Sequence, residues 1–246
     1  MKSIIIYLLV FVMSFQRIIA MPAIDYFLNV TLVLPDTVKK DPFDSLQLGK
    51  LGLSRTGFDY AMIGYNKLLD AGLLAKPHIL SIIDFSLTSD KKRLFVIDIK
   101  NYKLLFVTYA AHGRNSGKEK AIYFSNEPES FKSSVGFFVT GETYSGTHGF
   151  SLRLRGYEKG YNDKALERDI VVHSADYVSD AIAKQQGFIG RSLGCPALAP
   201  PVNKAVINAI KDRSCLFIFG NEGKYISDSK FLKRPVKKRS RFLPPI

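Results

Sequence analysis

Two short stretches carry the residue types from which acyl-transfer chemistry is built. The first is Gly190-Arg191-Ser192-Leu193-Gly194-Cys195-Pro196-Ala197, which sets a cysteine in a tight, glycine-bounded turn. The second is Ile170-Val171-Val172-His173-Ser174, which sets a histidine at the end of an apolar run that reads as a buried strand. The thiolate, not the thiol, attacks a carbonyl, so a cysteine working near neutral pH needs a base within hydrogen-bond reach. His173 is the candidate base. Backbone N–H groups around Gly194 and Cys195 are candidate donors to an oxyanion, because a glycine-containing turn lets successive amides converge. A histidine after a strand is also a common packing residue, and the residues alone leave both readings open.

The second cysteine bears on the first. Cys215 lies in Ser214-Cys215-Leu216-Phe217-Ile218-Phe219, a buried-strand pattern in which cysteine behaves as a small hydrophobe. The N-terminus joins Lys2 to an apolar run from Ile4 to Met13, the pattern of a secretory signal peptide over residues 1–20, with cleavage after Ala20 and Ala23 as the second site. Gln16 and Arg17 cut that run below the ~18 to 20 residues that span a bilayer, although an uncleaved anchor is the rival reading. Export to the periplasm or cell envelope makes a Cys195–Cys215 disulfide an alternative. The different settings of the two cysteines favour a free Cys195 beside an inert Cys215.

The formal net charge is +13 over 246 residues. Much of it is local: Lys230, Lys233, Arg234, Lys237, Lys238, Arg239 and Arg241 fall in one stretch without an acid. Such a run suits an anionic envelope surface, and export argues against nucleic acid; a solvated tail with no specific partner is the plain alternative. Four regions follow: the signal segment 1–20, a proline-containing extension 21–57 with no assigned function, a catalytic domain 58–222, and a basic C-terminal tail 223–246.

Within the central region the pattern is mainly β with a few helices, an α+β class. Phe58, Ala61, Met62, Tyr65, Leu68 and Leu69 recur at helical spacing and stop at Gly72. Strands are expected over 79–85, 93–99, 103–109, 135–141, 151–155, 170–173 and 215–219, with 93–99 and 103–109 paired as a hairpin. Ser174 is placed to cap a helix over 176–186, with Val178, Ala181 and Ile182 inward. Pro200 and Pro201 open another helix through Arg213, with Val202, Ala205, Val206, Ala209 and Ile210 on one face. No cluster of cysteine and histidine stands at metal-ligand spacing.

The literal motifs point further. Gly190 to Leu198 and Val171 to Ser179 resemble the murein L,D-transpeptidase catalytic-domain family, and so do Ala111-His112-Gly113-Arg114-Asn115-Ser116-Gly117, Phe124-Ser125-Asn126, Ser133-Ser134-Val135-Gly136-Phe137 and Thr147-His148-Gly149-Phe150-Ser151-Leu152. The resemblance covers about residues 58–221 in the right order. It implies a β-sandwich or mixed-sheet fold with a helix between the His and Cys motifs, no metal or cofactor, and peptidoglycan stem peptides as substrate. Cys195 is then the nucleophile and His173 the base, with Ser192 and Gly194 shaping the loop and its oxyanion site. Where the broad family has His before Gly-Cys and Arg two residues after the cysteine, this chain has Leu193 and Ala197, as in a divergent branch reading Gly-Arg-Ser-x-Gly-Cys-Pro-Ala.

That departure leaves open what holds the substrate carboxylates. Arg191, Arg155 and Arg114 are candidates because a guanidinium matches a carboxylate bidentately, and each is equally placed for a structural ion pair. His112 and His148 lie in glycine-rich turns, with lining of the cleft and a structural role both open. The implied reaction is thioester formation at the third stem residue with loss of D-alanine, then cross-linking to an acceptor amine. L,D-carboxypeptidase action at the same site, a wall-binding protein without turnover, and a general cysteine peptidase are the competing readings. The last fits less well, because His173 precedes Cys195 in the chain.

Overall fold

A computed structural model describes residues 41–233. The signal segment 1–20, the first part of the extension through residue 40 and the tail from residue 234 lie outside the described residues. Part of the expected extension belongs to the folded body: helix α1 (Pro42–Ser45) and a 3-10 turn (Leu48–Leu51) bury Phe43 and Leu48, and Leu53 follows them into the core. Helix α2 (Arg55–Asp70) starts three residues before the apolar pattern, because Ser54 Oγ accepts the Gly57 N–H at 3.1 Å; such a cap is worth about 1 kcal/mol. Phe58, Ala61, Tyr65 and Leu68 form its buried face, whereas Leu69 stays exposed. Gly64 is required by packing, since a Cβ there would stand 2.1 Å from the Phe137 ring.

The strands are β1 (Ile79–Asp84), β2 (Leu94–Asp98), β3 (Lys103–Thr108), β4 (Gly136–Gly146), β5 (Gly149–Gly156), β6 (Val171–Ser174), β7 (Ala197–Leu198) and β8 (Cys215–Phe219). They form one mixed sheet in the order β3-β2-β1-β8-β4-β5-β6-β7, so of the two expected forms the mixed sheet is the one found. The expected hairpin is present as the antiparallel β2–β3 pair. Alternation along the strands sends Leu80, Ile82, Phe137, Val139, Cys215 and Phe217 to a core shared with α2, and Ile79, Ile83, Phe138, Leu152, Leu216 and Ile218 to a second core. Burying each large apolar side chain contributes about 1.5–3 kcal/mol.

Helix α3 spans Asp180–Gln186 and is capped by Ser179, whose Oγ accepts the Ile182 N–H at 3.2 Å. The cap expected at Ser174 is corrected: Ser174 pairs with Leu198 as the last residue of β6. The expected inward positions change with it, for Val178 and Ala183 are buried and Ala181 is exposed. Helix α4 (Pro200–Ile210) ends three residues before Arg213 and buries Asn203, Val206, Ile207 and Ile210, leaving Ala205 outside. The basic tail does not begin at 223. Helix α5 (Gly223–Asp228) buries Tyr225, and Ser229 and Leu232 follow it inside.

Candidate active site

The outer strands β5, β6 and β7 build the site. β6 and β7 run parallel with His173 opposite Ala197 and Ser174 opposite Leu198, while Arg153 of β5 faces Val171. Parallel neighbours need a crossover, and here α3 and the loop carrying Cys195 supply it. Two residues before Ala197, the Cys195 sulfur receives the Val171 N–H at 3.4 Å and donates to the Asp169 carbonyl at 3.4 Å. The topology thus brings His173 and Cys195 to adjacent chain segments at one end of the sheet.

His173 is buried, and its Nδ1 lies 2.8 Å from the Ser174 carbonyl. That acceptor fixes the proton on Nδ1 and leaves the Nε2 lone pair as the basic site. Burial holds the His173 pKa below its ordinary value, the Ser174 carbonyl opposes this, and the neighbouring His148 lowers it further. His148, at the β4–β5 turn, stacks on His173 with ring centroids 4.5 Å apart. Cys195 is half-buried, and burial pushes its thiol up, offset by the Val171 N–H and the charge of Arg168.

The Cys195 loop is closed by its own serine. Ser192 Oγ donates to the Cys195 carbonyl at 2.6 Å and accepts the Gly194 N–H at 3.1 Å. The Gly194 amide, expected among the oxyanion donors, is therefore taken up inside the turn. Gly194 has φ +132°, a conformation that side-chain-bearing residues rarely adopt, and its carbonyl accepts from Ser133 Oγ at 3.0 Å. The strip 111–114 lies alongside: Ala111 N–H donates to Ala197 O, Ser192 N–H to His112 O and Arg114 N–H to Ser192 O, each at 2.8–2.9 Å.

The expected substrate residues divide. Of the two roles open to His112, its surroundings favour the structural one: it is fully buried, its Nδ1 accepts from Arg93 Nη2 at 2.7 Å and its Nε2 donates to the Gly117 carbonyl at 3.1 Å. Burial, helped by the Arg93 charge, pushes its pKa down to about 4. Arg191 and Arg114 are exposed on one flank; Arg191 Nη1 donates to Arg114 O at 2.9 Å, and Arg114 stacks on Phe131. Arg155 lies apart from them, in a cleft of about 640 Å³ that it lines with Arg153, Arg213, Glu142 and Asp212. Cys215 is fully buried between β1 and β4, and both cysteines are free, so the disulfide alternative falls away.

Sequence reasoning passed over two arginines on the segments that flank Cys195. Arg153, opposite Val171, pairs with Glu142 at 3.2 Å and reaches Asp169 at 3.9 Å. Arg168 lies behind the Cys195 loop, against Gly194. Its signal was available only as position, five residues before His173.

A family model described as L,D-transpeptidase catalytic domain matches residues 50–219. The chain belongs to the L,D-transpeptidase catalytic-domain family. No curated protein matches it. Among solved structures it is similar to an L,D-transpeptidase from Mycobacterium smegmatis (14% identity, 58% of this chain and 59% of that chain, TM-score 0.37). It is also similar to L,D-transpeptidase 3 from Mycobacterium tuberculosis (14%, 58% and 61%, TM-score 0.38) and to an L,D-transpeptidase (Yku) from Stackebrandtia nassauensis (17%, 69% and 69%, TM-score 0.34). The chain spans about three-fifths of the length of the first two. The L,D-transpeptidase match begins within the segment that caps the core through Leu48 and Leu53 and ends with β8.

Proposed function

We propose that this L,D-transpeptidase-family chain is an exported cysteine acyltransferase that cross-links peptidoglycan stem peptides, with Cys195 as nucleophile and His173 as base. The observation that carries the reading is the β6–β7 pairing, which sets His173 with a free Nε2 lone pair beside the segment that holds Cys195. Among the described residues the sulfur's hydrogen-bond partners are Val171 and Asp169. For the reaction the S–H must leave the Asp169 carbonyl and turn to Nε2.

In the first half-reaction Nε2 takes the thiol proton as sulfur adds to the carbonyl of the third stem residue. The carbon–nitrogen bond then breaks, His173 returns the proton to the departing amine, and D-alanine leaves. In the second half an acceptor amine adds to the thioester, its proton passes to Nε2 and back to sulfur, and the carbon–sulfur bond breaks. Water in place of the amine makes the outcome L,D-carboxypeptidase. The Cys195 amide is the remaining loop donor for the oxyanion, since Ser192 occupies that of Gly194. Arg155, in the cleft it shares with Arg153, suits a stem carboxylate, and so do the exposed Arg191 and Arg114.

The test is mass spectrometry of tetrapeptide muropeptides incubated with the protein. Loss of D-alanine and formation of dimers are expected, and Cys195→Ala is expected to abolish both while leaving the unfolding midpoint unchanged. Turnover in that variant overturns the proposal. Muropeptide binding without turnover or carbapenem labelling of Cys195 replaces it with a wall-binding role.

A further inference from the structure

Arg168 is half-buried in the segment that leads into β6. Its Nη1 donates to the Ser125 carbonyl at 2.7 Å and to Ser134 Oγ at 2.6 Å, and its Nη2 donates to the Lys132 carbonyl at 2.8 Å and to Ser130 Oγ at 3.3 Å. All four acceptors are neutral. Among the described residues no carboxylate pairs with it, and Glu127, whose charge it feels, is bound to Lys164 at 2.7 Å. The fork lies against the nucleophile loop: Nη2 stands 3.4 Å from where a Cβ on Gly194 would sit. From Arg168 the chain passes directly to Asp169, whose carbonyl receives the Cys195 S–H, and on to Val171, whose N–H reaches the same sulfur.

We infer that Arg168 is a positioning residue whose un-neutralised guanidinium, held in place by four neutral acceptors, stabilises the Cys195 thiolate; this rests on Cys195 being the nucleophile. Hydrogen bonds to neutral groups fix a guanidinium without cancelling its charge, and in a half-buried setting that charge is weakly screened. The other charged or titratable groups around the sulfur cannot take this part. The Asp169 carboxylate opposes ionisation. Tyr177, pushed up to about 12 first by burial, stays neutral. His173, held low by burial, is uncharged in the resting site, and Arg153 is committed to Glu142 and Asp169.

The test is the pH dependence of Cys195 alkylation by iodoacetamide in the full chain, followed by peptide mass mapping so that Cys215 does not contribute. Arg168→Gln is expected to move the profile to higher pH by about one unit, a roughly tenfold slower alkylation at pH 7, with Arg168→Lys restoring most of it. Ser130→Asp tests the charge with the fork retained, because it sets a carboxylate beside Nη2, and is expected to shift the profile in the same direction. Circular dichroism shows which variants are folded. A folded Arg168→Gln or Ser130→Asp with the wild-type profile overturns the inference and leaves the nucleophile untouched. A wild-type Cys195 that resists alkylation across the range removes the nucleophile and this inference together.

Discussion

At the scale of single residues, the site separates groups legible from their neighbours in the chain from groups that are not. Cys195 and His173 stand out because each sits at an abrupt change of pattern, a glycine-bounded turn and the end of an apolar strand. Arg153 and Arg168 carry no such mark; β pairing sets Arg153 opposite Val171 and a turn sets Arg168 against the Cys195 loop, and neither is a local property. His148 is intermediate. Its stacking on His173 covers the ring and places a second ionisable imidazole beside it, and both effects hold the His173 pKa down. With His173 as the proposed base, rate-limiting proton uptake gives an acid limb centred below the ordinary value of about 6.5. His148→Ala removes the cover and the like charge together, so the acid limb of Cys195 acylation is expected to move to higher pH. The check is a stopped-flow profile with a chromogenic β-lactam from pH 4 to 8, and an unmoved limb excludes coupling between the two rings.

At the scale of elements, the strand pattern was legible because alternation on a sheet with two buried faces writes itself into the sequence, and helix α2 for the same reason at the 3.6-residue period. Helix α3 was misplaced by a tertiary cause. Ser174 and Ser179 are both chemically able to cap, and only the pairing of Ser174 with Leu198 across β6–β7 makes the chain stay extended until Ser179. The strip 111–114 shows the same limit, since its histidine reads as a site residue until Arg93 is found beneath it. Arg93 is fully buried and donates to Ala110 O, Leu87 O and His112 Nδ1 at 2.7–3.0 Å. Replacing His112 with Leu strands the Arg93 Nη2 donor, at a cost of about 1–3 kcal/mol in urea unfolding. His112 also sets a pH window. Its folded pKa of about 4 lies below the unfolded value, so its contribution is full above about pH 6.5 and is lost as pH falls towards 4, on the order of 3 kcal/mol in all. The His112→Leu variant is expected to lose that part of the acid sensitivity, which unfolding curves at pH 7 and pH 4 compare directly.

At the scale of the whole molecule, the C-terminal charge run divides into two parts with different physics. Residues through Lys233 belong to the fold. Glu158 is buried and accepts from Phe137 N–H and Tyr225 O–H at 2.8 and 2.9 Å and from Ser229 Oγ, Leu232 is inside, and Lys67 donates to the carbonyls of Lys230 and Lys233. Cutting the chain before Gly223 removes two of the donors to a buried carboxylate and exposes apolar core, and each buried polar group left without its partner costs about 1–3 kcal/mol. Against a typical total of about 5–15 kcal/mol, that truncation is expected to lower the urea midpoint sharply or to prevent folding. A chain ending at Lys233 keeps all of these contacts, so its urea midpoint should lie well above that of the chain cut before Gly223. The cations beyond it, Arg234, Lys237, Lys238, Arg239 and Arg241, carry five charges with no acid among them. If these cations hold the protein to an anionic sacculus, salt screens that attraction within about 10 Å at 0.1 M, so the full protein should bind isolated sacculi more tightly at 20 mM than at 300 mM salt, and the chain ending at Lys233 should lose most of that difference. Equal salt dependence in the two proteins would assign the binding to the folded surface and leave the last thirteen residues without an envelope role.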